Sequence, residues 1–327
     1  MRLALLLTSL ALIAAAPVPR QAAEPFEAMR AADLRLASIA YRLTTANRAL
    51  CGAVVPTPGL AIHAIDQYDP RLREGLRSIF SFETPVAIEA VVPGSAAALA
   101  GVVQNDSLVT VASSPVVRAS EDAARPSSGT RDAASDLIAR QPAEAPLALE
   151  LMRNGVRRTV RVPASPGCAS RFEVLVGRGL IASADGTVVQ IGMRFLERFD
   201  DAQIAVVVAH ELSHNILRHR LRLEAAGVKR GLLAEVGRNG RLFRQTENDA
   251  DLLGVHLLRN AGYDPESAVR FWRDHGEEVG GGFFRSRTHF SAGNRAKAIA
   301  AEIRAIPAGA PIPYRPPVLA TRDQPLG

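Results

Sequence analysis

Three of the seven histidines in this 327-residue chain fall within residues 209–219, AHELSHNILRH. His210 and His214 are four positions apart with Glu211 beside the first, so on a helix both imidazoles share one face, about a turn apart. That spacing suits a metal ion held by two imidazoles, with the glutamate placed as general base toward water. Residues 204–209, IAVVVA, are strongly apolar, which points to a buried helix rather than a solvated one. Zinc needs a third protein ligand and keeps a fourth position open for chemistry. The run TENDADLLGVHLL supplies the candidates: Glu247 as ligand, and Asp251, one turn on along the same face, to orient a ligand histidine through its other ring nitrogen. The expectation is one Zn2+ per chain on His210, His214 and Glu247.

The elements that must position these side chains are legible in outline. Asp200 and Gln203 form a capping box for the His210 helix, which is read as running on to Gly227. A second helix covers 242–259, and a third starts after Asp264-Pro265. FEVLV and LIASADGTVVQIG read as strands, the latter a hairpin about Asp185-Gly186. Leu36, Ile39, Leu43, Ala46 and Leu50 make one apolar stripe on a helix over 27–50. Residues 59–165 change character: short strands, a small alanine-rich helix closed by Gly101, a helix over 131–141, and a hairpin about Asn154-Gly155. The tail from Pro307 is proline-rich and expected to be poorly ordered.

Composition is globular, with 47% hydrophobic and 22% charged residues. The net charge of +6 is carried by arginines spread along the chain, with no dense basic run, so no nucleic-acid partner is expected. The start, MRLALLLTSLALIAAA, has the short positive, apolar and small-residue regions of a secretory signal peptide. No later run is long and apolar enough to span a bilayer. The mature protein is therefore expected to be exported, periplasmic and soluble. Its two cysteines, Cys51 and Cys168, flank the strand-rich segment and are expected to pair, tying its two stems together.

Two resemblances follow. AIEAVVPGSAAALAGVVQNDSLVTVASSPV resembles a bacterial PDZ domain, with Ala96 where proline is common and Asn105 where glycine is common. No clear carboxylate-binding loop is present; residues 78–82, SIFSF, are the candidate. AVVVAHELSHNILRH together with ENDADLLGVHLLRNAGYDP resembles the HtpX-like and BepA-like zinc metallopeptidases, the gluzincins of peptidase family M forty-eight. Asp249 replaces the family's middle glutamate, and Ile181 stands where asparagine is usual. Thr288, His289 and Arg295 match a Thr-His-Pro-(x)4-Arg segment in which Phe290 replaces proline; the resemblance makes His289 a candidate transition-state or gating residue.

The resemblances imply an α+β architecture: a mainly helical zincin-type domain with a small antiparallel sheet, and an inserted PDZ-like β-rich domain. The division is a signal peptide and mature start over 1–23, an N-terminal helix over 24–57, the PDZ-like segment over 58–165, the peptidase over 166–305 and the tail over 306–327. The implied activity is a zinc endopeptidase cutting exported, misfolded or envelope polypeptides, with Glu211 as base and the substrate paired to an edge strand near residues 181–184. A peptide ligand of the PDZ-like segment is a further possible partner. The alternatives are a binding or chaperone-like quality-control protein with a weak or regulated metal site, and a protein whose metal is only structural.

Overall fold

The computed structural model describes residues 20–117, 124–228, 237–279 and 291–327, with side chains from residue 24. The expected signal peptide, the glycine run at 280–282, Thr288 and His289 lie outside the described residues. The chain begins with α1 (Arg20–Ala46) and enters the inserted segment through β1 (Val54–Pro56). Then come β2 (Leu60–Ala64), α2 (Arg73–Ile79), β3 (Val86–Val91), α3 (Ala96–Leu99), β4 (Ser107–Val111), β5 (Ser114–Pro115), α4 (Gly129–Ala139), β6 (Leu147–Arg153) and β7 (Val156–Val162). β8 (Pro166–Cys168) leads out. It is followed by β9 (Arg171–Leu175), β10 (Ala182–Ala184), β11 (Val188–Gly192), α5 (Met193–Arg198), α6 (Asp201–Ile216), α7 (His219–Ala225), α8 (Gly237–Asn260), α9 (Glu266–Val279) and α10 (Ala292–Ala305). Helices and sheets segregate, so the class is α+β.

Among the described residues two large apolar cores form, with two smaller clusters beside them. In the inserted segment the antiparallel sheet has the order β2-β3-β4-β6-β7, with β5 on β4. Val86, Ile88, Leu108, Leu149 and Leu151 pack there with Ile138 of α4. Asn154 (φ 53) and Gly155 (φ 72) both lie in the left-handed region, as the tight β6–β7 turn demands. The sheet's stem is β1 paired antiparallel with β8, Val54 opposite Cys168, and the Cys51–Cys168 disulfide closes it with Cα atoms 5.5 Å apart. In residues 78–82, Phe80 and Phe82 are buried with Ile65 and Leu76 in a smaller apolar cluster.

The second core surrounds α6. Its residues Ile204 to Ala209 are all buried, packed among α1, α8 and α9 and the sheet β10-β11-β9. The stripe Leu36, Ile39 and Leu43 faces this core, while Phe26 at the start of α1 packs edge-on to Tyr68 and Phe80, each 6.1 Å away between centroids. One helix thus packs on both the α6 core and the smaller Phe80 cluster of the inserted segment.

Three expectations are corrected. The small sheet is not antiparallel throughout: β10 runs antiparallel to β11, but β9, arriving from the stem, pairs with β11 in parallel. The His210 helix does not run on to Gly227. Arg218 adopts φ 55, ψ 35, which ends α6 and starts α7 in a new direction; Gly227 (φ 73) closes α7 instead. The tail is ordered. Leu319 is buried in the α6 core, Asn260 Oδ1 accepts from Tyr314 N at 2.9 Å, and Gln324 O accepts from Arg222 Nε at 2.9 Å.

Candidate metal centre

Helix α6 starts at the expected box: Asp200 Oδ1 accepts from Gln203 N, and Gln203 Oε1 accepts from Asp200 N. Helix α8 crosses it antiparallel, so that Glu247 meets His210 and His214, Asp251 meets His210, and Gly254 meets the His210 backbone. A Cβ at Gly254 would already stand 3.6 Å from His210 N, so a larger side chain would push the two helices apart.

Among the described residues one group of three metal-type ligands converges: His210, His214 and Glu247. His210 Nε2 lies 3.2 Å from His214 Nε2 and 3.2 Å from Glu247 Oε2, and His214 Nε2 lies 3.6 Å from Glu247 Oε1. Tetrahedral zinc with bonds of about 2.0–2.1 Å separates its ligand atoms by about 3.3 Å. The donor set therefore fits a zinc ion in chemistry and spacing. His210 is almost fully buried, whereas the side chains of His214 and Glu247 keep some exposure, which leaves an approachable side.

Behind the ligands lies a charged ladder. Arg295 of α10 donates twice to Asp251, Nε to Oδ2 at 2.7 Å and Nη2 to Oδ1 at 2.6 Å. Asp251 Oδ1 is 3.0 Å from His210 Nδ1, so that nitrogen carries the proton and Nε2 faces the site. Arg295 Nη2 also lies 3.3 Å from His210 Nδ1; the carboxylate decides the tautomer, because two donors cannot bond each other. Trp272 of α9 covers the guanidinium, with Arg295 Cζ 3.3 Å from its ring centroid. Burial opposes charge on Asp251, but Arg295 and the hydrogen bonds outweigh it and hold the carboxyl below its ordinary range. Burial likewise opposes charge on His210, yet its bonds to Asp251 and Glu247 raise it to about 9. A metal at Nε2 would take the place of that proton.

Glu211 is buried and its Oε1 has no hydrogen-bond partner among the described residues. Burial, assisted by Glu247, pushes it up to about 7, where a carboxylate exchanges protons readily at neutral pH. Burial pushes His214 down to about 4, so its ring is neutral near pH 7 and can offer a nitrogen lone pair. Its Nδ1 lies 2.9 Å from Nδ1 of His219, which the α6–α7 break places there and which burial holds well below the ordinary histidine range.

Asp249, His63, His256 and His275 lie apart from the group. Asp249 is not part of the converging group; burial raises its carboxyl above the ordinary range and the charge of Arg222 opposes the rise. His256 bonds Glu302, His275 bonds Gln203, and His63 sits in the inserted segment beside Tyr68. Sequence reasoning missed the ladder's outer members. Arg295 was visible only as a motif match, and Trp272, the one tryptophan, carried no signal beyond an amphipathic helix. β10, adjoining Ile181, is an edge strand of the three-stranded sheet and packs against α6.

No family model matches the chain, so the metallopeptidase resemblance rests on the motifs alone. No curated protein matches it. Among solved structures it is similar to the crystal structure of the HtrA3 PDZ domain bound to a phage-derived ligand (FGRWV). That similarity has 20% identity, a TM-score of 0.24, and covers 35% of this chain and 89% of that one.

Proposed function

We propose that this chain is a zinc-dependent endopeptidase of exported polypeptides, of the gluzincin kind. The observation that carries the reading is the convergence of His210 Nε2, His214 Nε2 and the Glu247 carboxylate at near-tetrahedral spacing, with buried Glu211 next to the first ligand. Zinc, when bound, polarises a peptide carbonyl and acidifies water beside it. Glu211 takes the proton of the attacking water and passes it to the leaving amine. Asp251 and Arg295 hold His210 in its tautomer and orientation. The edge strand β10 gives an extended substrate main-chain partners. The Cys51–Cys168 disulfide fits an oxidising compartment, and no described helix is long and apolar enough to cross a membrane.

The test is metal analysis of the purified chain, followed by incubation with casein or an unfolded outer-membrane protein beside Glu211→Gln. One zinc per chain and cleavage that only the parent performs are expected. A zinc-free chain that still cleaves would remove the proposal. The second reading, a binding or quality-control protein, draws on the outer edge of β2, which has no strand partner among the described residues. Stoichiometric zinc with capture of unfolded chains and no cleavage would favour it.

A further inference from the structure

In an unbroken α6 the side chain of His219 would point about 140° away from that of His214, since each residue turns the helix by about 100°. The chain does otherwise. Arg218 takes φ 55, ψ 35, a left-handed conformation that a residue with a Cβ rarely adopts, and α7 starts directly after it. The bend is held by the C-terminal segment: Arg218 Nη1 donates to Asp323 Oδ1 at 3.0 Å, and Arg222 Nε donates to Gln324 O at 2.9 Å. Its result is a contact that a straight helix would not make. His219 Nδ1 lies 2.9 Å from His214 Nδ1, and His219 is only 2% exposed. The rings meet at their edges rather than stacking, with planes 77° apart and centroids 4.9 Å apart. Backbone strain of this kind persists where the surroundings over-determine it, and it clusters where position matters to function.

Two neutral ring nitrogens at that distance share one hydrogen, so one donates and the other accepts. The ligand set decides which. His214 turns Nε2 toward His210 Nε2 at 3.2 Å and the Glu247 carboxylate at 3.6 Å. A neutral imidazole that binds a metal through Nε2 carries its hydrogen on Nδ1. His214 Nδ1–H therefore donates, His219 Nδ1 accepts, and the hydrogen of His219 sits on its own Nε2. The opposite arrangement, with His219 Nδ1–H donating, would put a hydrogen on His214 Nε2 and close that nitrogen to a metal. His219 Nε2 is buried and has no hydrogen-bond partner among the described residues, so no described group forces the opposite tautomer. His210 is fixed in the same sense by Asp251, whose carboxylate can only accept.

We infer that His219 is a positioning residue of the metal centre: by accepting from His214 Nδ1–H, it keeps the Nε2 lone pair of that ligand turned toward His210 and Glu247. The inference rests on the reading of His210, His214 and Glu247 as zinc ligands, and it names the group that makes His214 competent as one of them. The left-handed turn at Arg218 is then the device that brings this partner to the ligand.

The test uses the full chain with nitrogen-labelled histidine, beside His219→Asn and His219→Leu. In the metal-free parent at mildly alkaline pH, long-range proton–nitrogen NMR should place the hydrogen of His214 on Nδ1 and that of His219 on Nε2. Zinc affinity is read by competition with a chromophoric chelator. His219→Leu fills the space without an acceptor and should bind zinc about 10–100-fold more weakly than the parent. His219→Asn sets a carbonyl oxygen where Nδ1 stood and should stay within about threefold of the parent. Rescue by the amide and not by the alkyl side chain separates acceptance from packing. Thermal melts without metal show whether each variant folds; if His219→Leu does not, the parent's tautomers and the His219→Asn affinity carry the test. A hydrogen on His219 Nδ1, a folded His219→Leu chain that binds zinc like the parent, or a folded His219→Asn chain that binds about tenfold or more weakly than the parent would overturn the inference. A parent that takes up no zinc would remove the proposed function, while the hydrogen positions, read without metal, would still uphold or overturn the pairing of His214 with His219.

Discussion

The ligand cluster and a cavity lined by α1, α4, β2 and β9 both bury ionisable groups, and they resolve the cost in opposite ways. Around the ligands, Asp251 is held charged by Arg295 and His210 is held charged by Asp251 and Glu247. Along the cavity, Asp33 and Glu89 are raised and His63 is lowered to about 3, so all three favour the neutral form. In the first, the Arg295–Asp251–His210 ladder is satisfied by side chains of the described residues and fixes geometry. In the second, Arg131 on the cavity wall acts on both acids, yet burial prevails. Preorganised charge suits catalysis.

The comparison breaks most sharply at Glu211. Glu211→Gln should lower cleavage by about 10²–10⁴-fold while zinc stays bound, because only the proton acceptor is removed; rates on casein, with metal content measured in parallel, decide it. Arg295→Met comes next. It strands a buried carboxylate, and should cost about 3–5 kcal/mol in unfolding and weaken zinc about 10–100-fold. Denaturant titration with and without chelator reads both, and an unchanged zinc affinity would separate the ladder from the site.

Smaller effects come from the cavity and carry a pH signature. His63 has a folded value below its ordinary 6.5, so its stabilising share is present above 6.5 and is lost as pH falls toward about 3. The parent should lose about 1.4 kcal/mol per pH unit in that interval, and His63→Phe should flatten the slope. Glu89 has the opposite sign: its folded value is raised above 4.5, so stability is full below 4.5 and declines as pH rises. Glu89→Gln should therefore be neutral or about 1 kcal/mol more stable at pH 7, with the gap widening on the alkaline side. Thermal melts across pH 4–9 test the two signs together; a Glu89→Gln protein that is less stable than the parent at every pH would mean that this carboxylate has a partner.

Much of the ligand cluster could be read in advance because its information is local. The four-residue spacings of His210 with His214 and of Glu247 with Asp251 specify shared helix faces wherever the helices go. The Cys51–Cys168 pair and the hairpin about Asn154-Gly155 were likewise legible from position and turn chemistry. What failed was non-local. Nothing marks Arg218 for a left-handed conformation, since no glycine or asparagine stands there, and so the α6–α7 break and its placement of His219 against His214 were hidden. The parallel pairing of β9 with β11 depends on where the stem delivers the strand. The proline-rich tail read as loose because composition does not reveal that Leu319 reaches a core. Asp33 and Glu89 carry no sequence signal, and only the docking of α1 on the inserted segment brings them to one cavity.

Helix α1 packs on both the α6 core and the Phe80 cluster of the inserted segment, and this sets a schedule for the nascent chain. Arg35 bonds the carbonyl of Leu196, 161 positions later, and Asn47 bonds that of Leu257, 210 positions later. The inserted segment is synthesised first and holds its own core, so it can fold while the stripe Leu36, Ile39 and Leu43 still lacks α6 and α8. Phe26 and Arg30 already have their inserted-segment partners by then. The early-folding segment thus gives the start of α1 a surface to rest on, shortening the interval in which the whole helix is open to aggregation.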